Sequence, residues 1–396
     1  MASLQPISTL TYTSMVTAWL EFAQFHEIGY FVWAPGSAPD RRILQFLNDD
    51  VLQKKLIPKR GKKLLIYLDF QQAHSISPDD LHNKLFDALR KVFTGSMETK
   101  NISEIVHSLE NQGYDLYLFI LGIDNLLKDH IYSPIKELYL LYEQVRNMSL
   151  LFFTTTYLDD QTRKEILQKN ASSANIFYKP LYTEEDTAQF ITFLEDYWKI
   201  HVPPEHVRWV LDECGGKLGL IKTAIRIIRD NPNIATEELE AHSSLQERAK
   251  YILSNLNHDA RAILQRVSKT HTPIANENAD IVNYLIHIGF LSRIDKAYAI
   301  RPKYLTHFLF SQDEESFSSD LPVKEYAVLQ CLSNKKNTIV SRDQIAQSLW
   351  GTDWEDKYSD WAIDQAIHRL RSKLRDSASP YSIHTKKGVG FMLRKG

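Results

Sequence analysis

With 396 residues, 43% of them hydrophobic and 24% charged, the chain can build two to four packed domains, because single cores stop growing near ~250 residues. Its glycine, proline and aromatic contents exclude collagenous, low-complexity and disordered classes. The two cysteines, Cys214 and Cys331, rule out by number a disulfide framework or a cysteine-ligated zinc site and fit a reducing cytoplasm, and a net charge of −2 argues against a chain-wide surface for polyanions.

No Lys or Arg precedes Arg41, so a secretory leader is not expected. The longest apolar stretch, Leu116–Ile123, is shorter than the ~18 residues needed to cross a bilayer, so no membrane anchor is expected either. Five β-rich apolar runs follow one another: Tyr30–Ala34, Leu64–Phe70, Leu116–Leu121, Ser149–Thr155 and Asn175–Tyr178. Each pair is separated by enough chain for a crossover helix, and their unbroken apolarity predicts parallel strands covered on both faces. This is the pattern of a doubly wound α/β core.

From Tyr30 to Leu44 the chain reads as a strand, a turn around Gly36 and a helix start, the place where a phosphate-binding loop lies. Such a loop, G-x-x-x-x-G-K-[ST], needs glycine for close backbone approach, lysine for the β- and γ-phosphates and a hydroxyl for magnesium. Here Pro39, Asp40 and Arg41 fall on those positions, and an aspartate facing phosphate oxygens repels them. Arg41 or Arg42 could still hold a phosphate at the helix start. Leu118–Gly122 followed by Ile123-Asp124-Asn125-Leu126 resembles the third strand of STAND-type and related AAA-like ATPases, where apolar residues lead into Asp-Gly-(Leu/Ile)-Asp-Glu. The resemblance puts Leu121 at the metal-holding aspartate position, keeps Gly122, Ile123 and Asp124, and puts Asn125 at the following acid. It therefore implies that magnesium and an attacking water lack carboxylate partners. It continues through Thr154-Thr155-Thr156, Lys179-Pro180-Leu181 and Gly215-Gly216-Lys217-Leu218-Gly219, with Leu218 where such proteins commonly carry proline, and spans roughly Thr9–Phe310. What it implies is an ATPase-like fold without hydrolysis and with no required cofactor, residual nucleotide binding being left open. Other catalytic signatures are missing: His26-Glu27 lacks the second histidine of a zincin, no G-x-S-x-G occurs, and His201/His206 and His74/His82 have no metal-spaced partners.

After Pro180-Leu181 the pattern turns helical, opening on Thr183 as an N-cap with Glu184-Glu185-Asp186 in the first turn. The helical segment runs to about Glu240. Two further helical runs, Ala260–Val267 and Ile281–Ile288, precede the strand-like Phe290–Ile294 and Ala297–Ile300, the order of a winged helix. Ser311–Asp320 is polar and acidic, without hydrophobic period, and reads as a linker.

The last segment inverts the charge balance: from Ala366 onward eight basic residues (Arg369, Arg371, Lys373, Arg375, Lys386, Lys387, Arg394, Lys395) face Asp376 alone. Within Trp361–Arg375, Ile363, Ile367, Leu370 and Leu374 form one buried helical stripe, which leaves Trp361, Gln365, His368, Arg369 and Ser372 on the opposite face, suited to base edges. Leu321–Leu332 is a helix before it, Ser341 caps another through Leu349-Trp350-Gly351, and Lys386–Phe391 is a basic hairpin. In order, L-P-V-K-E-Y-A-V-L, V-S-R-D-Q-I, L-W-G, I-D-Q-A-I-H-R-L-R-S-K-L and I-H-T-K-K-G-V-G-F resemble the OmpR/PhoB-type winged-helix family over about Leu321–Leu393. The resemblance implies a recognition helix at Trp361–Arg375, a wing at Thr385–Phe391, and binding to double-stranded DNA as tandem protomers on direct repeats. By position it implies major-groove contacts from Gln365, His368, Arg369 and Arg371, and backbone or minor-groove contacts from Trp350, Thr385 and Lys387. Trp361 and Ala366 stand where the family often has Arg and His.

The expected architecture is thus a P-loop-like doubly wound parallel sheet (1–183), a helical lid (184–240), a winged helix (241–310), a linker (311–320) and an OmpR/PhoB-type winged helix (321–396). The expected function is that of a cytoplasmic, sequence-specific DNA-binding regulator, oligomeric on DNA, whose non-hydrolysing ATPase-like half receives a signal or a protein partner. Two alternatives are an active STAND-type ATPase that oligomerises with nucleotide, and a DNA-anchored adaptor of a defence or mobile-element complex.

Overall fold

The computed structural model describes residues 6–57, 62–70, 77–93, 101–128, 130–166, 176–270, 279–294, 297–310, 323–333, 335, 337–350, 359–376, 381–386 and 389–395, and divides the chain into two units, Met1–Leu309 and Phe310–Gly396. The first unit opens with α1 (Thr9–Gln24), β1 (Ile28–Trp33), α2 (Pro39–Leu47), α3 (Asp50–Leu56), β2 (Lys62–Asp69), α4 (Pro78–Val92), α5 (Ile102–Asn111) and β3 (Tyr114–Leu121). There follow α6 (Asp124–Lys128), α7 (Ser133–Gln144), β4 (Met148–Thr154), α8 (Asp160–Ile166) and β5 (Ile176–Lys179). All five strands pair in parallel, in the order β2-β3-β4-β1-β5.

The sheet is two-sided because residues alternate between its faces. Phe31, Tyr117, Phe119, Leu151 and Phe153 meet α1 and α2 on one face, while Tyr30, Val32, Leu118, Ile120, Leu150 and Phe152 meet α4, α5 and α7 on the other. Aromatic rings on neighbouring strands stack: Tyr30 on Phe152 at 4.7 Å and Phe31 on Phe153 at 5.0 Å between centroids. Helix α1 starts where Ser8 accepts the Thr11 amide, and its buried positions Tyr12, Met15, Val16, Trp19, Leu20 and Ala23 recur at helical spacing. Trp19 then sets its edge against Phe153 at 5.2 Å.

The five apolar runs fold as the strands expected, with ends displaced by up to two residues. The displacement has a local cause at two ends. Ala34 leaves the ladder because its carbonyl accepts the Ser37 amide in a turn. Thr155 leaves because its amide donates to the Asp124 carboxylate instead.

The remainder of this unit is α9 (Glu184–Trp198), α10 (Pro204–Cys214), α11 (Leu218–Asp230), α12 (Thr236–Glu240), α13 (Ser243–Ser254), α14 (His258–Thr270), α15 (Ala279–His287), the hairpin β6 (Leu291–Ile294) and β7 (Ala297–Ile300), and a short 3-10 helix, Lys303–Phe308. Their buried residues, including Ile221, Ile225, Ile252, Leu264 and Leu285, join one core with the α4–α5–α7 face of the sheet. Thr183 caps α9 through the Asp186 amide, as its sequence position predicts. The Asp186 carboxylate reaches back to the N-terminus, accepting the Ser8 amide at 3.0 Å and the Thr11 hydroxyl at 2.9 Å.

The second unit comprises α16 (Val323–Ser333), β8 (Val340–Ser341), α17 (Arg342–Trp350), α18 (Asp360–Asp376), β9 (Tyr381–Lys386) and β10 (Gly390–Lys395). The antiparallel strands are ordered β8-β10-β9. Ile363, Ile367, Leu370 and Leu374 are buried, as the stripe predicted, with Leu329, Leu332, Ile345, Phe391 and Leu393 in the same small domain core. Gly390 lies so close to β8 that a Cβ would collide with the Val340 carbonyl oxygen, which is why this turn takes glycine. The segment 311–320 lies outside the described residues.

Candidate nucleic-acid interface and phosphate crevice

Burying one stripe of α18 forces the rest of the helix outward. Trp361 is 72% exposed, His368 and Arg369 are exposed, and Gln365 is half-buried. Beneath this face lies a buried carboxylate, Glu325 of α16, with the Lys373 amine at 3.6 Å and the Arg369 guanidinium at 4.0 Å. Arg342, at the start of α17, is bound to Asp360 at 2.9 Å and Asp364 at 2.6 Å and stacks over Phe391, tying the first turns of α17 and α18 to the hairpin.

Arg371 links α18 to the strand that follows it. It donates to the Ile383 carbonyl at 3.0 Å and to the Thr385 hydroxyl at 2.6 Å. The guanidinium and Thr385 are thereby used to fasten the helix to the wing strand, so their first role is to fix the angle between the two. Lys386 is exposed at the end of β9, and its carbonyl accepts the Val389 amide to close the turn. Trp350 is half-buried at the end of α17. Lys387 lies outside the described residues.

The other predicted cluster gathers at the carboxyl ends of β1, β3 and β4, the crevice where open α/β sheets hold ligands. Gly36 takes a positive φ of 69°, and a Cβ there would lie 3.1 Å from Ile252 of α13. The loop's carbonyl groups accept side chains from distant helices. The Lys217 amine, almost fully buried, donates to the Ser37 hydroxyl at 2.7 Å and the Ala34 carbonyl at 3.3 Å, and the Arg248 guanidinium donates to the Gly36 carbonyl at 3.0 Å. Burial pushes the Lys217 amine well below the ordinary lysine value, and Arg248 pushes it the same way.

Asp124 is equally committed. One of its oxygens accepts the Thr154 hydroxyl at 2.9 Å, the Thr155 amide at 2.6 Å, the Thr155 hydroxyl at 2.9 Å and the Thr156 hydroxyl at 3.0 Å. Leu121 is fully buried among the residues facing α1 and α2. Asp40 and Arg41 stand in the first turn of α2, and Arg42 donates to Gln45 at 3.1 Å. These residues do not fit a magnesium nucleotide held in the manner of G-x-x-x-x-G-K-[ST]: the loop offers carbonyls to cations, its lysine position is aspartate, and one oxygen of Asp124 is taken by threonine donors. Among the described residues no cluster of three His, Cys, Asp or Glu side chains has metal-binding spacing.

Sequence reading missed Lys217 and Arg248 as parts of this crevice. Lys217 was visible only as the middle of a glycine-rich turn, and Arg248 sits 212 residues from the loop it touches. Around them Arg41, Lys222 and Arg226 complete a group of cations. Arg248 is shifted downward by burial, opposed by Tyr251, with Arg41 and Arg226 adding to it, and Lys222 is shifted downward by burial, then Arg41 and Arg226.

Residues 316–393 match the family "Transcriptional regulatory protein, C terminal". Similar curated proteins are the transcriptional regulatory protein PrrA of Mycobacterium leprae, 37% identical over 75 residues (19% of this chain, 31% of that protein), and the transcriptional activator protein IrlR of Burkholderia pseudomallei, 37% identical over 73 residues (18% and 31%). The chain thus spans about a third of the length of these relatives. Among solved structures, the Walker-type ATPase PABY2304 of Pyrococcus abyssi has a TM-score of 0.47 at 9% identity, covering 76% of this chain and 95% of that one. The ORC2 protein of Aeropyrum pernix has a TM-score of 0.42 at 12% identity, covering 76% and 91%. Residues 316–393 are an OmpR/PhoB-type domain, and the sheet that precedes them in the chain is a doubly wound one of five parallel strands.

Proposed function

We propose that this protein is a sequence-specific DNA-binding transcriptional regulator whose ATPase-like half works without hydrolysis, as a receiver of a signal or of a protein partner. The observation that carries the DNA-binding half is the exposed face of α18, where Trp361, Gln365, His368 and Arg369 project from a helix braced by Glu325, Arg342 and Arg371. A rigid helix with long donors on one side and a basic hairpin beside it supports major-groove reading with phosphate anchoring from the wing. In this reading Trp350, Lys386 and Lys387 meet the backbone or the minor groove, Thr385 contributes from the wing, and protomers bind in tandem.

The non-hydrolysing half is supported by the engaged loop and by Asp124, one oxygen of which takes four donors from Thr154–Thr156. We place the functional parts at 1–183, 184–240, 241–310 and 321–396, joined before the last by 311–320, and the protein in the bacterial cytoplasm on its chromosome. No helix among the described residues is long and apolar enough to cross a membrane. Immunoprecipitation of the protein with its chromosomal fragments, followed by anisotropy titration of the recovered sequences, tests the first half. Preferred fragments bound far more tightly than random duplex support it, and equal binding of all sequences rejects it. Magnesium-dependent ATP turnover by the purified chain would reject the second half.

A further inference from the structure

We propose that Trp361 recognises thymine in the DNA site, its indole packing on the 5-methyl group that this base turns into the major groove. The inference rests on the DNA-binding reading above and deepens it by naming the base that the first turn of α18 selects. Trp361 is the second residue of that helix, and its side chain is 72% exposed. Among the described residues of α16, α17 and α18, no other large apolar side chain is left exposed. The indole lies off the stripe of Ile363, Ile367, Leu370 and Leu374, so the core of the unit does not use it. It stands instead on the opposite face, where Gln365 follows four residues on and His368 seven.

The surroundings of the indole decide what kind of contact it makes. Asp360 precedes it and Asp364 follows it, and Arg342 binds both carboxylates, at 2.9 and 2.6 Å. Two acids against one guanidinium leave a negative charge in excess beside Trp361, which disfavours a phosphate there. The indole itself brings one N–H donor, no acceptor, and otherwise a wide apolar surface. In the major groove that surface meets one apolar partner, the thymine methyl, because the other groups on the base edges are hydrogen-bond donors and acceptors. Recognition helices present their N-terminal residues to those edges, and Trp361 stands in the first turn. The same Arg342 pairs that crowd out a phosphate also hold this turn against α17, so the indole is carried on a fixed support. Gln365, His368 and Arg369, one to two turns further on, are left to read the polar edges of the bases beyond. One helix face thus carries an apolar test followed by polar ones.

Replacement of thymines by deoxyuridine, one position at a time, removes the methyl group and leaves every hydrogen-bonding group of the base in place. It is applied to the tightest fragment recovered with the protein from its chromosome, and binding of the full chain is followed by anisotropy. A thymine is expected whose replacement weakens binding roughly fourfold, the worth of one buried methyl group. With Trp361→Ala the same replacement is expected to cost nothing. Because the side chain is exposed, this variant is expected to keep the melting curve of the parent chain. Its affinity for random duplex and its salt slope are expected to be unchanged, since the indole meets no phosphate. Three results would each overturn the proposal: a fragment bound specifically but indifferent to deoxyuridine at every position, a penalty that persists in Trp361→Ala, or a loss in that variant as large on random duplex as on the preferred site, which would make Trp361 a backbone contact. The absence of any preferred fragment is a different failure, which rejects the regulator reading itself and this inference with it.

Discussion

The two basic regions of this protein are built in opposite ways. In the C-terminal unit, side chains that fix the reading surface reach short distances along the chain: Arg371 to Ile383, 12 residues on, and Arg342 to Asp360, 18 residues on. In the crevice the decisive contacts are Lys217 to Ser37 and Arg248 to Gly36, 180 and 212 residues apart. The tail also matches cations with carboxylates, Arg342 with Asp360 and Asp364 and Lys373 with Glu325, whereas Lys217 and Arg248 in the crevice donate to neutral oxygens of Ala34, Gly36 and Ser37. The difference teaches that the helix-and-hairpin surface of the tail is stiffened by charge pairs made within it, while the loop after β1 is held by cations that distant helices bring to its neutral oxygens.

The strongest way to break this comparison is to ask whether the crevice retains catalytic acid chemistry. If Asp124 is a clamp, Asp124→Ala strands four donors of Thr154–Thr156 and costs about 3 kcal/mol of the first unit's stability, read by urea unfolding, with no ATPase activity lost. A stable variant that loses turnover would instead make Asp124 a working residue. A second probe concerns the long-range style of assembly itself. Burial alone would raise the Asp186 carboxyl, but hydrogen bonds from Ser8, Thr11 and Thr183 outweigh it and hold the group below the ordinary carboxylate range. The unfolded chain therefore takes up this proton first as pH falls, so the stabilisation is full at neutral pH and fades below about pH 4, through the folded group's own titration. Asp186→Asn should cost roughly 1–2 kcal/mol at pH 7 and flatten the acid limb of the stability curve. An unchanged acid limb would detach α1 from this anchor.

The same contrast explains what was legible in the sequence. The five sheet strands announce themselves because parallel strands buried on two faces must be apolar throughout, and the α18 stripe because a helix against a core repeats every 3.6 residues. Asp40, where the phosphate-loop motif has lysine, could be read directly, and it stands in the first turn of α2. The contacts that distant helices make to the loop before it could not. Neither the single Lys217 in a glycine turn nor Arg248 in the middle of an amphipathic helix carries any local sign of the loop it will meet, since only the closed tertiary structure brings them there. The bond from Arg371 to Thr385 was equally hidden, because the two meet only once the wing strand has folded back against the helix.

Within the tail, Arg369 and Lys386 sharpen the comparison between reading and anchoring. Arg369→Ala should weaken the preferred site relative to random duplex by roughly 1–2 kcal/mol, in the lower part of the range for a good base contact because the guanidinium also leans on Glu325. Competition titrations against random DNA measure this, and equal loss on both would remove Arg369 from base readout.

Lys386 gives the smallest effect and the cleanest signature. It is exposed at the end of β9, where an ammonium can approach phosphates without meeting a base edge. A phosphate contact gains its free energy from counterions released by DNA, and that gain is the same for every sequence. Lys386→Ala should therefore lower affinity for specific and random duplex alike, with a loss roughly threefold larger at about 50 mM than at about 200 mM salt for one contact, and make the slope of log affinity against log salt shallower by ~0.9. A variant that lost affinity at the preferred site alone, with the slope intact, would turn the wing into a reader of sequence and erase the division of labour between helix and hairpin.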